Sequence, residues 1–486
     1  GVSMPTWEDV INYEEGDAEA LSKMSSGYPR FVFLKPVKEL FEVCERLFAA
    51  PGESAMALPS ARVALRLQQF LIKSGKAEDV RVHDVYAHGV FAVTFPASSE
   101  SVAKLFWQHC GEIVSSRLAK EVLFVVKQTC YENVTNDVGN DDAAAAAALD
   151  NLGLLDRSSP YVGDDSLLGP TRTGKKDEDD GDEEADDDEI VQTHRQQHRT
   201  SSDPHFALRR RIASLADEDM CNAFVYPTGM AAITAAHRLL KLASNWNETP
   251  LRNIVFGFPY LDTLKLNGRP EMGGGVVFFG NGDAQDLAAL EKLLDTSEER
   301  FGGLFCEIPS NPLLRSPPLR ALRALADRHG FPLIVDDSIA GFCNVDVLRE
   351  GGADILCSSL TKQFSGSNTV MGGSLVLNSR SSLHARLHAR LTRDYEPLLW
   401  QQDAAVLLSA SSDVEARVAT SNANAVALVR LLEAHPAVDR VYHPIVETKD
   451  LYDEWRRDGG DRGSEIGYGA LLSVTFKNDT DARAFY

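Results

Sequence analysis

From about Pro204 onward one design recurs: a short apolar run, a turn that carries glycine, then a helix with one apolar face. "NAFVYPTGMAAITAAHRLLKLA" has it, and so do "RNIVFGFPYLDTLKL" and "GGVVFFGNGDAQDLAALEKLLD". "GGLFCEIPSNP", the helix "LRALRALADRHG", the strand "FPLIVDDS" and the strand "ADILCSS" continue it. Strands alternating with helices predict an α/β fold: a mainly parallel sheet covered by helices on both faces. In such sheets ligands bind beyond the carboxyl ends of the strands, so those ends are where chemistry is to be sought.

The N-terminal part, to about residue 135, reads as a separate small α/β unit. "SARVALRLQQFLIKSG" has helical spacing, with Ser60 as N-cap and Gly75 as stop, while "GVFAVTFP" and "EVLFVVKQ" read as strands. No chemical constellation stands out in it. Between the two units, from about Asn136 to Arg199, the composition changes: six consecutive alanines (Ala143–Ala148) precede "DEDDGDEEADDDE", in which eleven of thirteen residues are acidic. A block that repels itself stays solvated, which predicts a flexible insertion. Much of the net charge of −22 sits there, and a chain so acidic is a poor binder of nucleic acid. No apolar run is long enough to span a bilayer, and seven cysteines without a CxxC pair argue for a reducing, cytoplasmic setting and against a metal site.

Five signals fall at successive strand ends. Gly229, between Thr228 and Met230, would let backbone N–H groups at a helix start meet a phosphate; an ordinary glycine turn reads the same way. Tyr260 could cover a flat ligand or belong to the core. Asn311 could point an amide at a phenolic oxygen or make a simple turn. Asp336 ends an apolar run, where a carboxylate is costly unless a cation meets it; capping a helix, by Asp336 or Asp337, is the rival role. Lys362 follows Ile355, Leu356 and Cys357 and precedes a glycine-rich loop, with Ser359 and Thr361 offering hydroxyls. A lysine forced towards low dielectric becomes a nucleophile, whereas one at a strand end can simply reach water. A ligand with a phosphate, a flat ring, a protonatable ring nitrogen and an aldehyde would use all of these, and pyridoxal 5′-phosphate is such a ligand.

"TGMAAI", "SNPLLR", "IVDDS" and "SSLTKQFSG…VMGGS" resemble the cystathionine γ-synthase group of pyridoxal-phosphate enzymes. "GFPYLDTLK" and the extension with "SGYPRF" resemble its fungal branch. The resemblance implies a fold-type-I, aspartate-aminotransferase-like transferase. Its parts would be an N-terminal α/β extension (1–135), an acidic insertion (136–200), a cofactor-binding large domain (201–395) and a small C-terminal domain (396–486). It implies that Lys362 is the Schiff-base lysine and Asp336 the partner of the ring nitrogen. Gly229, Met230, Ser359 and Thr361 would bind the phosphate, with Asn311 near the ring hydroxyl. Tyr260 would stack on the ring and assist proton transfer. The reaction implied is γ-replacement on an O-acyl-homoserine with cysteine, in a homodimer or homotetramer. O-acetylhomoserine sulfhydrylase and cystathionine lyase share these cofactor residues, and a catalytically impaired scaffold is the alternative of another class.

Three departures from the family pattern stand out. Its Tyr-x-Arg pair, which reaches a neighbouring subunit's phosphate, is missing before "TGM", where Arg195 or Arg199 could substitute; Tyr28 and Arg30 have the spacing but lie far upstream. The loop after Lys362 reads Gly366-Ser367-Asn368-Thr369 rather than Gly-His-x-Asp. "YGALLSVTF" followed by "NDTDARAFY" predicts a strand and a helix start, hence an incomplete small domain ahead of the family's carboxylate-binding arginine.

Overall fold

A computed structural model describes residues 6–15, 17, 19–20, 27–138, 203–243, 251–458 and 467–486. The alanine run, the acidic block, Arg195 and Arg199 lie outside the described residues.

The N-terminal unit has three antiparallel strands, β1 (Glu53–Leu58), β2 (Arg81–Asp84) and β3 (Phe91–Pro96), in the order β1-β3-β2. Helix Ala61–Lys73 starts where the sequence requires: the Ser60 side chain accepts from the Val63 N–H at 3.2 Å. Its buried residues Val63, Ala64, Leu67, Phe70 and Leu71 follow the helical period. "EVLFVVKQ" is not a strand but part of helix Ser116–Val138. Its β-branched residues misled; the buried positions Leu118, Ala119, Val122, Leu123 and Val126 keep helical spacing, and Phe124 faces outward.

Seven strands form the main sheet: β4 (Ala223–Tyr226), β5 (Asn253–Phe256), β6 (Val276–Phe279), β7 (Leu304–Glu307), β8 (Leu333–Asp336), β9 (Ile355–Ser359) and β10 (Gly373–Leu377). Their order is β4-β10-β9-β8-β7-β5-β6, and only β10 runs against the rest. Alternate residues feed two cores. Ala223, Val225 and Cys306 join one, whereas Phe224, Tyr226 and Phe305 join the other, beneath helix Gly229–Ala243. A sheet buried on both faces leaves only its strand ends open to ligands. Beyond it, β11 (Val438–Tyr442) and β12 (Ser473–Phe476) pair antiparallel and pack on helix Val414–Glu433.

The N-terminal unit docks on the large sheet domain through Glu112. Its carboxylate is fully buried between Arg66, 3.0 Å away, and Arg238, 2.7 Å away. Burial alone would raise its pKa, but the two guanidinium groups outweigh that and hold it below the ordinary carboxylate range. A depressed carboxylate stabilises the fold above its unfolded pKa and stops doing so as pH falls through its folded value. Glu112→Gln should therefore cost about 3 kcal/mol at neutral pH, and less on acidification. Denaturant unfolding of the variant at pH 7 and near pH 4 checks this; an equal deficit at both would refute the electrostatic account.

Candidate active site

The carboxyl ends of β9, β8, β7 and β5, consecutive neighbours in the sheet, carry Lys362, Asp336, Glu307 and Tyr260 in turn. Lys362 sits in one wide helical turn, Leu360–Phe364, that follows β9 directly, and its own backbone (φ −86°, ψ −117°) interrupts the helical geometry. The turn carries the side chain out of the sheet. Lys362 is exposed, so of the two readings its side chain follows the one that reaches water. What faces its ammonium is an aromatic ring: Nζ lies 4.8 Å from the centroid of Tyr28.

Tyr28 comes from the N-terminal unit, where the sequence showed no constellation. That expectation is also corrected. Arg30, two residues on, is 2% exposed and donates from Nη2 to the Tyr260 hydroxyl at 2.7 Å. Its Nη1 donates to Asp262 Oδ2 at 2.7 Å and to the Gln108 carbonyl. Gln108 in turn donates to the other Asp262 oxygen at 3.0 Å. His109, next to it, accepts at Nδ1 from Arg269 at 2.7 Å; burial and then the Arg269 charge push its pKa down to about 4. The Tyr-x-Arg spacing was the one available signal. Its distance along the chain hid it.

Asp336 and Glu307 are register partners on β8 and β7. Glu307 Oε1 accepts the Tyr260 N–H at 2.6 Å, and Asp336 Oδ1 accepts the Ser338 N–H at 2.8 Å. Burial raises both pKa values, and the proximity of Asp336 raises that of Glu307 further. Asp337 is fully buried, and burial pushes its pKa to about 7. No helix starts after Asp336, so neither aspartate is a helix cap. Asp336 keeps partial exposure at the strand end, where a cation can reach it.

Gly229 and Ser359, 130 positions apart, are brought together. A Cβ on Gly229 would stand 2.8 Å from that of Ser359, and one on Gly373, between them, would strike the Thr228 carbonyl at 2.1 Å. As first residues of helix Gly229–Ala243, Gly229 and Met230 have N–H groups outside the intrahelical ladder. Thr228 Oγ1 caps the turn by accepting from Ala231 N–H at 3.0 Å and donates to the Gly111 carbonyl of the N-terminal unit at 2.9 Å. Thr361 departs from expectation: its hydroxyl donates to the Gly372 carbonyl at 3.3 Å and accepts that residue's N–H at 3.2 Å, so it braces the loop. Asn311 is half-buried in the loop after β7, which Ser473 of β12 holds by donating to the Pro312 carbonyl at 2.7 Å.

The sequence pattern described as "Cys/Met metabolism PLP-dependent enzyme" matches residues 182–485. That described as "Fungal trans-sulfuration enzyme, N-terminal domain" matches residues 36–115. A cystathionine gamma-synthase-like enzyme of Amanita muscaria is 32% identical, with 100% of this chain and 84% of that protein covered. The cystathionine gamma-synthase of Neurospora crassa is 31% identical, with 100% and 85% covered. The chain belongs to the Cys/Met metabolism PLP-dependent enzyme family. Pyridoxal phosphate is that family's cofactor, and the residues at the strand ends suit it. The open N–H groups and the Gly229–Ser359 approach leave room for a phosphate; a half-open buried carboxylate can meet a ring nitrogen, and an exposed lysine amine can reach an aldehyde. An alanine racemase of Aspergillus violaceofuscus is also similar, 30% identical with 100% and 84% covered, so family membership leaves the reaction open. Among the described residues no helix is long and apolar enough to cross a membrane.

Proposed function

We propose that the chain catalyses γ-replacement on an O-acyl-homoserine, with cysteine as the incoming thiol, to give cystathionine and the free carboxylic acid. The observation that carries this reading is the amine, carboxylate and phenol of Lys362, Asp336 and Tyr260 at the same end of the sheet, after β9, β8 and β5, with β7 between the last two. The named relatives support it. When bound, pyridoxal phosphate supplies an aldehyde that captures amines and a ring that accepts the electron pair left at Cα.

Lys362 would hold the cofactor through its amine, and the same amine, when free, would move protons at the substrate's Cα and Cβ. Its exposed position over the Tyr28 ring leaves the amine free to swing between those carbons. Asp336 keeps the ring nitrogen protonated; pairing with that cation relieves the cost of burying the carboxylate. Gly229, Met230 and Ser359 would bind the phosphate, Thr361 would shape the loop around it, and Asn311 would serve the ring hydroxyl. Tyr260 would stack on the ring, with its loop tied to β7 by Glu307. The working form is a homodimer or homotetramer, which light scattering of the purified protein reads directly.

O-acetyl- and O-succinyl-homoserine, each supplied with cysteine or with sulfide, test the reading. Cystathionine should form from one ester with cysteine. Preference for sulfide would make the protein a sulfhydrylase, and cleavage of added cystathionine a lyase. Racemisation of L-alanine without acid release, the activity named for the Aspergillus relative, would overturn γ-replacement. A chain that binds no cofactor would be a scaffold.

A further inference from the structure

The contacts of Arg417 lead to an inference that rests on the reading of Lys362 as the residue that holds the cofactor. Arg417 stands near the start of helix Val414–Glu433, more than 50 positions after the lysine. Its Nη1 donates to the Gln363 carbonyl and its Nη2 to the Phe364 carbonyl at 3.3 Å, so one guanidinium takes the two carbonyls that follow Lys362. Nη2 also meets the carbonyl of Ala410, the last residue of helix Gln401–Ala410, at 3.2 Å and Asp413 Oδ1 at 3.2 Å. Carbonyls at the end of a helical turn have no intrahelical donor, and a forked cation can serve several of them at once.

Lys362 is thereby fixed on both sides. Before it, the Thr361 hydroxyl is tied to Gly372, and the Leu360 N–H donates to the Gly372 carbonyl at 2.9 Å. After it, Arg417 holds Gln363 and Phe364, while the Lys362 carbonyl accepts the Gly366 N–H at 2.9 Å. Gly366 itself lies against the guanidinium: its φ is +67°, and a Cβ there would stand 2.5 Å from Arg417 Cζ. Only glycine suits both that backbone and that approach. The Arg417 side chain is 27% exposed and that of Asp413 65%. An ion pair so open to water contributes little, which leaves the carbonyls as the main contacts of Arg417.

We propose that Arg417 is a positioning residue for Lys362: by holding the two carbonyls that follow the lysine, it sets where the side chain leaves the sheet, and so where the amine meets the cofactor's aldehyde. Its effect passes through the backbone of Gln363 and Phe364.

Binding of pyridoxal 5′-phosphate and of pyridoxamine 5′-phosphate to the apo full-length chain tests this without any substrate. The first has the aldehyde that condenses with the lysine amine, releasing water; the second carries an amine there and is held by phosphate and ring contacts alone. Arg417→Met removes the fork and strands only the exposed Asp413, whereas Gly366→Ala keeps the arginine and sets a methyl group against it. Each should weaken pyridoxal phosphate about tenfold, because a reacting group displaced by a fraction of an ångström loses much of its advantage, and pyridoxamine phosphate by no more than about twofold. Arg417→Lys, which keeps the charge but not the fork, should fall between wild type and Arg417→Met. Equal weakening of the two ligands would mean that Arg417 shapes the pocket as a whole, and would overturn the proposal. So would unchanged affinity for pyridoxal phosphate in any of these variants that folds. Failure of the wild-type chain to bind either ligand would refute the cofactor site, and equal binding of both without visible absorbance would refute the reading of Lys362; both are separate results.

Discussion

Lys362→Ala is expected to abolish turnover and the visible absorbance of bound cofactor while leaving the unfolding midpoint unchanged. The two halves have different causes. The amine is the covalent tether and the proton carrier in the proposed reaction, so its removal should cost at least about a thousandfold, or 4 kcal/mol of barrier. The side chain is exposed and makes its one described contact with the face of the Tyr28 ring, so little packing is lost. Truncating a solvent-facing side chain changes stability by about 0.5 kcal/mol or less. Absorbance spectra, a coupled assay and denaturation of the same preparation read all three. A variant that stays yellow and active would remove Lys362 from the reaction.

The next largest effect should follow Asp336→Asn. A neutral amide cannot keep the ring nitrogen protonated, and we expect a rate loss on the order of a hundredfold, about 3 kcal/mol of barrier, with much of the cofactor retained. The apo protein should respond in the opposite sense. Burial raises the pKa of Asp336, burial and Asp336 raise that of Glu307, and burial brings Asp337 to about 7. A carboxyl raised in the fold contributes stability that is complete below its unfolded pKa, about 4, and is lost as pH climbs through the folded value. The wild-type apo chain should therefore lose stability between about pH 4 and pH 7. Asp336→Asn removes one of these ionisations, so its stability should fall less over that range. Thermal melts of both apo proteins at several pH values, beside steady-state rates of the loaded ones, check the pair of effects. Unchanged rates would end the assignment of Asp336 to the ring nitrogen.

How much of this was legible beforehand differs by residue. The strand–turn–helix units were readable because apolar runs bounded by glycine turns are local patterns. Lys362, Asp336, Tyr260 and Gly229 were readable as strand-end residues because a parallel sheet places their segments there by topology alone. "EVLFVVKQ" failed because β-branched residues signal strand while the spacing of what is buried signals helix, and only packing shows what is buried. That the Thr361 hydroxyl braces the loop was not legible, because a hydroxyl looks the same in sequence whether it faces a ligand or braces a loop.

The sequence by itself therefore determined the α/β class and which side chains stand at the strand ends as candidates, since each follows from a pattern within a few residues. Tertiary structure alone decided that Lys362 is exposed, that Glu307 stands beside Asp336, and that Tyr28 and Arg30 reach the same place from more than 200 positions away. These depend on how separate elements dock. Docking brings buried charges such as Glu112 and Asp262 against partners in other parts of the chain.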